Sequence, residues 1–325
     1  MKVVKIFFFI FFAFPCFQYS FAQHKLEKEK NQILTEGLAL YTMILANWTS
    51  NDIYYENEFN TDYVKGYLSY KDKDTLKTIF WRELDTTSAE YKARTFHAVD
   101  DTGAISVQNS KKINDLRVIV KTIGYNKMSV TKKNGVIDEA EREPNEKELM
   151  LMNFRAMVYK EINSDTSFFK HYAGVSMKAI LMEAGKQIKV YVYSTTAKEG
   201  MVPIGGDYIL IYDKKEKIIV EKTDLHKDLF FISTQFKGKA YEASKATQHI
   251  HKDGAAELIT PTDVATLLLY KSQLEWDEHH VIAGKYTCVF TLIDRKLTIV
   301  PTSEFEALKK RKNKMDEEEK NSNMH

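Results

Sequence analysis

The sequence predicts an α+β protein, with an N-terminal helix and a mainly β region followed by an α/β sandwich in the C-terminal half. Three observations point there. Residues 26–47 place Ile33, Leu34, Leu38, Tyr41, Ile44 and Leu45 close to helical spacing. Between 64 and 120, short β-branched and aromatic runs are separated by Asp, Gly, Asn and Lys turns. Beyond about residue 146, helical and strand-like segments are interspersed with short hairpins, the pattern of layered α+β or α/β domains. The chain has 325 residues, 44% of them hydrophobic, with only 13 Gly and 5 Pro. That composition supplies one large core or two ordinary ones and excludes disordered and collagen-like classes.

Taken in order, residues 1–22 read as a signal peptide. Lys2 and Lys5 precede the apolar run Ile6 to Phe14, and Ser20-Phe21-Ala22 offers small residues to a signal peptidase, so cleavage is expected after Ala22. The protein is therefore expected to be exported, periplasmic or secreted. A lipid anchor on Cys16 is disfavoured because Pro15 stands where a lipobox wants a small residue, and no later stretch is long and apolar enough for a transmembrane span. Removing Lys2 and Lys5 leaves 45 basic against 45 acidic residues. A neutral chain has no overall field to attract nucleic acid, so none is expected as a partner. Loss of Cys16 leaves Cys288 alone, which excludes an intramolecular disulfide. Cys288, in the apolar run Tyr286 to Phe290, reads as a buried thiol rather than a nucleophile.

Residues 23–145 form the expected N-terminal α+β region. Its strands are Val64 to Tyr70, Thr78 to Trp81, Arg94 to Val99, Ala104 to Val107 and Val118 to Val120, with Asp100-Asp101-Thr102-Gly103 as a hairpin connection. Tyr54, Tyr55, Tyr67, Tyr70 and Trp81 could form a recognition surface or pack as ordinary core. The polar stretch Asn134 to Lys147 suggests a boundary near 140–165, before a second helix at about 146–163. In residues 146–303 the expected strands are Gln187 to Ser194, Asp207 to Asp213, Lys217 to Glu221, His280 to Ile293 and Lys296 to Val300, with a helix at Val264 to Leu274. Residues 304–325 are a charged tail with a basic block at 309–312 and an acidic one at 316–319, read as a solvated or frayed helix.

One constellation carries chemistry. His249 and His251 alternate on an extended strand and so face one side. Asp263 follows twelve residues later within Thr260-Pro261-Thr262-Asp263, where Thr260 suits an N-cap and Pro261 the first helical position. Two imidazoles and a carboxylate, with a fourth position left to water, match a catalytic zinc site. The same four residues also spell a capping box, which with surface histidines explains the pattern without a metal. His279-His280 follow three acidic residues and read as a solvated helix exit.

The pattern His249-Ile250-His251 followed by Thr260-Pro261-Thr262-Asp263 resembles the JAB/MPN (JAMM) metalloprotease motif, over about residues 199–300. Lys252 stands where that motif has proline, the gap to Thr260 is one residue longer, and Thr replaces Ser. The resemblance implies a JAB/MPN-like domain at 146–303 with His249, His251 and Asp263 as zinc ligands and Thr260 hydrogen-bonding an oxyanion. It also implies a base about fifty residues upstream, for which Glu199 is the first candidate and Asp207 the second. His226 would be a partner behind a ligand or a surface residue. Gly206-Asp207-Tyr208, Leu225-His226-Lys227 and Asp263 to Tyr270 look similar to a group of exported bacterial proteins carrying the same histidine pair. The function so implied is an exported zinc-dependent amide or isopeptide hydrolase acting on a peptide or protein. The alternative is a catalytically inactive envelope or surface binding protein.

Overall fold

A computed structural model describes residues 4–57, 64–85, 117–126, 128–234, 246–252, 254–274 and 276–322, with side chains described within these ranges from residue 23 to 315 and at 318. The expected strands at 94–99 and 104–107 and the turn at 100–103 lie outside the described residues. The fold is α+β, as the sequence predicts. Helix α1 (Val4–Glu56) leads into a first antiparallel sheet in the order β1 (Gly66–Asp72), β2 (Thr75–Glu83), β3 (Arg117–Asn126) and β4 (Val136–Asp138). Helix α2 (Glu146–Ser164) follows. A second antiparallel sheet has the order β5 (Val175–Ala184), β6 (Gln187–Thr196), β8 (Tyr208–Asp213), β9 (Ile219–Asp224). Between β6 and β8 runs β7 (Met201–Gly205), which pairs with β10 (Leu229–Ser233).

The third sheet positions the site. It runs β11 (Ala246–Ile250), β12 (Glu278–Ala283), β13 (Tyr286–Thr291), β14 (Lys296–Pro301), with β11 parallel to β12 and the rest antiparallel. A parallel pair needs a crossover, and here it contains α3 (Pro261–Tyr270). Helix α4 (Thr302–Ser322) closes the described chain, with the basic block at 309–312 exposed to solvent. Among the described residues, no helix is long and apolar enough to cross a membrane.

Helix α1 spans two cores. Leu40, Met43, Ile44 and Tyr54 pack on the first sheet with Phe80 and Tyr125, while Leu34 and Leu38 pack toward α3 with Val264, Leu267 and Leu268. Gly37 makes the second contact possible, because a Cβ there would lie 2.7 Å from the Val264 side chain. The polar stretch at 134–147 does not separate two cores. It builds β4 and the Asn145 cap of α2, and Leu151, Phe154 and Val158 of α2 share one cluster with Leu68 and Ile79 before it and Val190 and Leu210 after it.

Two expected elements differ in extent. The single strand expected from His280 to Ile293 is a hairpin, because Gly284 at φ 57° turns the chain between β12 and β13. The helix expected to reach Leu274 ends at Tyr270 and tightens into a 3₁₀ turn at Lys271–Gln273. Of the aromatic residues considered as a recognition surface, Tyr54, Tyr70 and Trp81 are core and only Tyr55 is largely exposed.

Candidate metal centre

Four side chains from three places in the chain meet in the interior: His226 between β9 and β10, His249 and His251 on and just beyond β11, and Asp263 in the first turn of α3. Their ligand atoms all lie within 4.8 Å of one another. His226 Nε2 is 3.4 Å from Asp263 Oδ1, and the Nε2 atoms of His251 and His249 are 3.7 and 3.9 Å from Oδ2. A tetrahedral zinc with bonds of about 2.1 Å spaces its ligand atoms about 3.4 Å apart, so a small inward movement would close the shell.

Each imidazole is oriented from behind. His251 Nδ1 lies 2.7 Å from the Ala256 carbonyl, which only accepts, so Nδ1 carries the proton and the Nε2 lone pair faces the cluster. His226 Nδ1 donates to Asp207 Oδ1 at 2.6 Å. His249 Nδ1 meets His279 Nε2 at 2.7 Å, and His279 Nδ1 meets the Thr247 hydroxyl at 2.8 Å. A relay of Nδ1–H donors from His249 to His279 to Thr247 leaves His249 Nε2 unprotonated. Among the described residues, the Nε2 atoms of His226, His249 and His251 are buried and make no well-formed hydrogen bond, facing Asp263 at 3.4 to 3.9 Å. Buried polar atoms are rarely left so, and partners that fix the second ring nitrogen are the usual support of metal-bound histidines.

Local sequence explains the placement. Gly205 and Gly206 take positive φ between β7 and β8; a Cβ on Gly205 would stand 2.2 Å from the Asp228 carbonyl and 3.1 Å from His226 Cβ. This tight passage brings Asp207 under His226, and Thr262 donates to the other Asp207 oxygen. At α3 the capping box and the ligand are one device. Thr260 Oγ1 accepts from Asp263 N at 3.0 Å, while Asp263 Oδ2 accepts from Thr260 N at 2.9 Å and from the Thr260 hydroxyl at 2.8 Å. The cap holds the carboxylate so that it faces the histidines.

The electrostatics are those of an unfinished site. Burial opposes charge on His226, but Asp207 and Asp263 overcome it and raise its pKa well above the ordinary histidine value. Burial would raise Asp263, yet His226 and His249 hold it well below the usual carboxylate range. His249 is depressed by burial despite Asp263. Burial brings His279 down to about 4. In the metal-free cluster the charge is thus drawn to His226 and Asp263 and kept off His249 and His279.

The structure brings together His249, His251 and Asp263 and adds His226, which sequence reasoning set behind or outside the ligand set. His279, expected at a solvated helix exit, is fully buried on β12. Glu199 is not brought to the site. It is exposed in the turn before β7, whereas His226 lies beside Gly205 at the other end of that strand, which is about 13 Å long at the usual rise per residue. Asp207 approaches only through His226. The Thr260 hydroxyl, expected to serve an oxyanion, donates to Asp263 instead. Cys288 is the buried thiol expected, raised by burial to about 12. Outside the cluster, a cleft of about 430 Å³ reaches His226 and His251, with Lys227, Asp228 and Lys252 on its walls.

No protein-family model, no curated protein and no solved structure matches the chain. The site therefore has to be read from its own geometry.

Proposed function

We propose that this chain is an exported zinc-binding protein in which His226, His249, His251 and Asp263 hold one zinc as a closed, structural centre. The observation that carries the reading is the convergence of three buried Nε2 atoms, none with a well-formed hydrogen bond among the described residues, on one buried carboxylate. Zinc over calcium or magnesium follows from the donor set, since three imidazoles suit a borderline-soft ion and the hard cations take oxygen ligands. Four protein ligands are the composition of structural sites, whereas hydrolytic sites keep one position open. When bound, the ion would tie α3, β11 and the β9–β10 connection together and so fix the walls of the adjoining cleft. The role is then that of a binding protein, the alternative the sequence left open.

A second reading is favoured by that cleft, because it gives a peptide or protein segment access to the edge of the site. It is the JAMM-like amide or isopeptide hydrolase that the motif resembles. There His249, His251 and Asp263 hold the zinc, which would supply an activated water. His226, oriented by Asp207, takes the proton-handling place that Glu199 is too distant to fill.

Cobalt substitution separates the two. A closed centre gives about one cobalt per chain and a visible spectrum unchanged by pH between 6 and 9 or by added acetohydroxamate. A spectrum that responds to either reveals an open position and returns the hydrolase to first place.

A further inference from the structure

A second cleft, of about 520 Å³, lies between α1, the β1–β2 hairpin, α2 and β5, in a part of the fold that the metal centre does not use. Its size is that of a small-molecule site. The interior is apolar and methionine-rich, with Met43, Leu76, Met128, Leu151 and Met182 on its walls. Met43, Leu76 and Leu151 are buried against neighbouring elements, so the walls are preformed, and methionine adapts readily to irregular apolar guests. The polar groups inside are already satisfied. Thr42 donates to the Leu38 carbonyl at 2.8 Å and Tyr70 to Glu148 at 2.7 Å, so nothing within the cleft asks for a polar ligand atom.

The mouth is cationic. Lys71, Lys73 and Lys147 stand around it with one carboxylate, Glu183. Glu183 is held by Lys147 at 2.5 Å and Lys214 at 2.8 Å and is thereby neutralised. Lys147 spends a further donor on the Lys71 carbonyl at 2.8 Å, and its ammonium lies 5.6 Å from the centre of the Tyr70 ring. Lys71 and Lys73 are exposed and pair with no carboxylate among the described residues; nearby Asp72 is taken by Lys77 at 2.5 Å. Apolar walls with unspent ammonium groups at one end complement a molecule with an apolar chain and a single anionic head.

We propose that this cleft binds a medium-chain alkyl amphiphile with a single anionic head, its chain among Met43, Met128, Leu151 and Met182 and its head against Lys71, Lys73 and Lys147. The site stands apart from the metal centre and does not depend on the function proposed for it.

Titration calorimetry of the zinc-loaded protein with dodecanoate, below its micelle concentration, tests this. One saturable site per chain is expected. Dodecanol should bind at least tenfold more weakly, and so should dodecanoate to the double variant Lys71→Glu, Lys73→Glu. Met128→Trp, at a partly buried wall position, should abolish binding while zinc content and melting temperature stay unchanged. Dodecyl phosphate tests the head group: carrying more negative charge toward the same lysines it should bind at least as tightly as dodecanoate, and binding more than tenfold weaker would overturn the cationic mouth as the head-group site. Absence of saturable binding, equal affinity for dodecanol, or indifference to the lysine variants would overturn the site itself.

Discussion

Two buried carboxylates in this molecule have opposite surroundings. Glu148, in the first turn of α2, accepts four hydrogen bonds from within the chain. Arg142 grips both oxygens at 2.7 Å, the Tyr70 hydroxyl adds one at 2.7 Å and the Asn145 amide one at 2.9 Å. Burial would raise its pKa, but Arg142 and Tyr70 bring it below the ordinary value. Asp263 also sits in a capping box, yet the nitrogens facing it across the cluster stand 3.4 to 3.9 Å away and make no well-formed hydrogen bond. The first network is complete without a ligand and the second is not. The candidate metal centre stands out as a polar network that the donors and acceptors of the described residues leave open.

The comparison breaks most visibly if Asp263 is removed. Asp263→Ala and His249→Ala should each lower zinc affinity by at least an order of magnitude, read by competition with a chelating dye, since a closed shell loses a ligand at high cost. Glu148→Gln should leave zinc untouched and destabilise the fold by about 2 kcal/mol, because it weakens charge-assisted bonds to an arginine that is only partly buried. Metal loss in that variant would show that the two networks are not independent.

Acidity sharpens the contrast. His226 has a raised pKa in the metal-free protein, so its contribution to folding is fully present below the unfolded value near 6.5 and is lost as pH rises through the elevated folded value. Zinc must displace that proton, so its affinity should climb about tenfold per pH unit over the same interval. Opposite slopes for metal-free stability and zinc affinity are therefore expected; parallel slopes would place the proton elsewhere. Smaller effects come from supporting residues. Asp207→Asn should weaken zinc by about 10- to 100-fold, whereas the exposed Glu199→Gln should change neither zinc nor stability by more than about 0.5 kcal/mol.

Much of the fold was legible in the sequence where patterns are local. The apolar periodicity of α1, the polar stretch before α2 and the β-branched runs of β2, β3, β6 and β8 all announce themselves. Strand β5 does not, since Met, Lys, Ala, Leu and Glu dominate Val175–Ala184 and leave only Val175 and Ile180 as β-branched residues. The same division holds at the site. His249, His251 and Asp263 are separated by short, regular spacings that imply a strand and a helix start. His226 arrives through the β9–β10 connection, and Asp207 reaches it only because Gly205 and Gly206 turn tightly. Its one sequence signal was the pairing of Gly206-Asp207 with Leu225-His226-Lys227 in the segments that looked similar to exported proteins. His279 was misplaced for a related reason: its acidic neighbours suggested solvent, while its position on β12, inside a parallel pair, buries it.

The claim that the cluster is an unfinished polar network completed by zinc is tested most directly by the metal content of the untagged protein after purification in zinc-containing buffer. About one zinc per chain is predicted, retained in Glu199→Gln and lost in Asp263→Ala. No bound zinc in the unaltered protein, or equal zinc in Asp263→Ala, would contradict the claim and leave Asp263 as a helix cap alone.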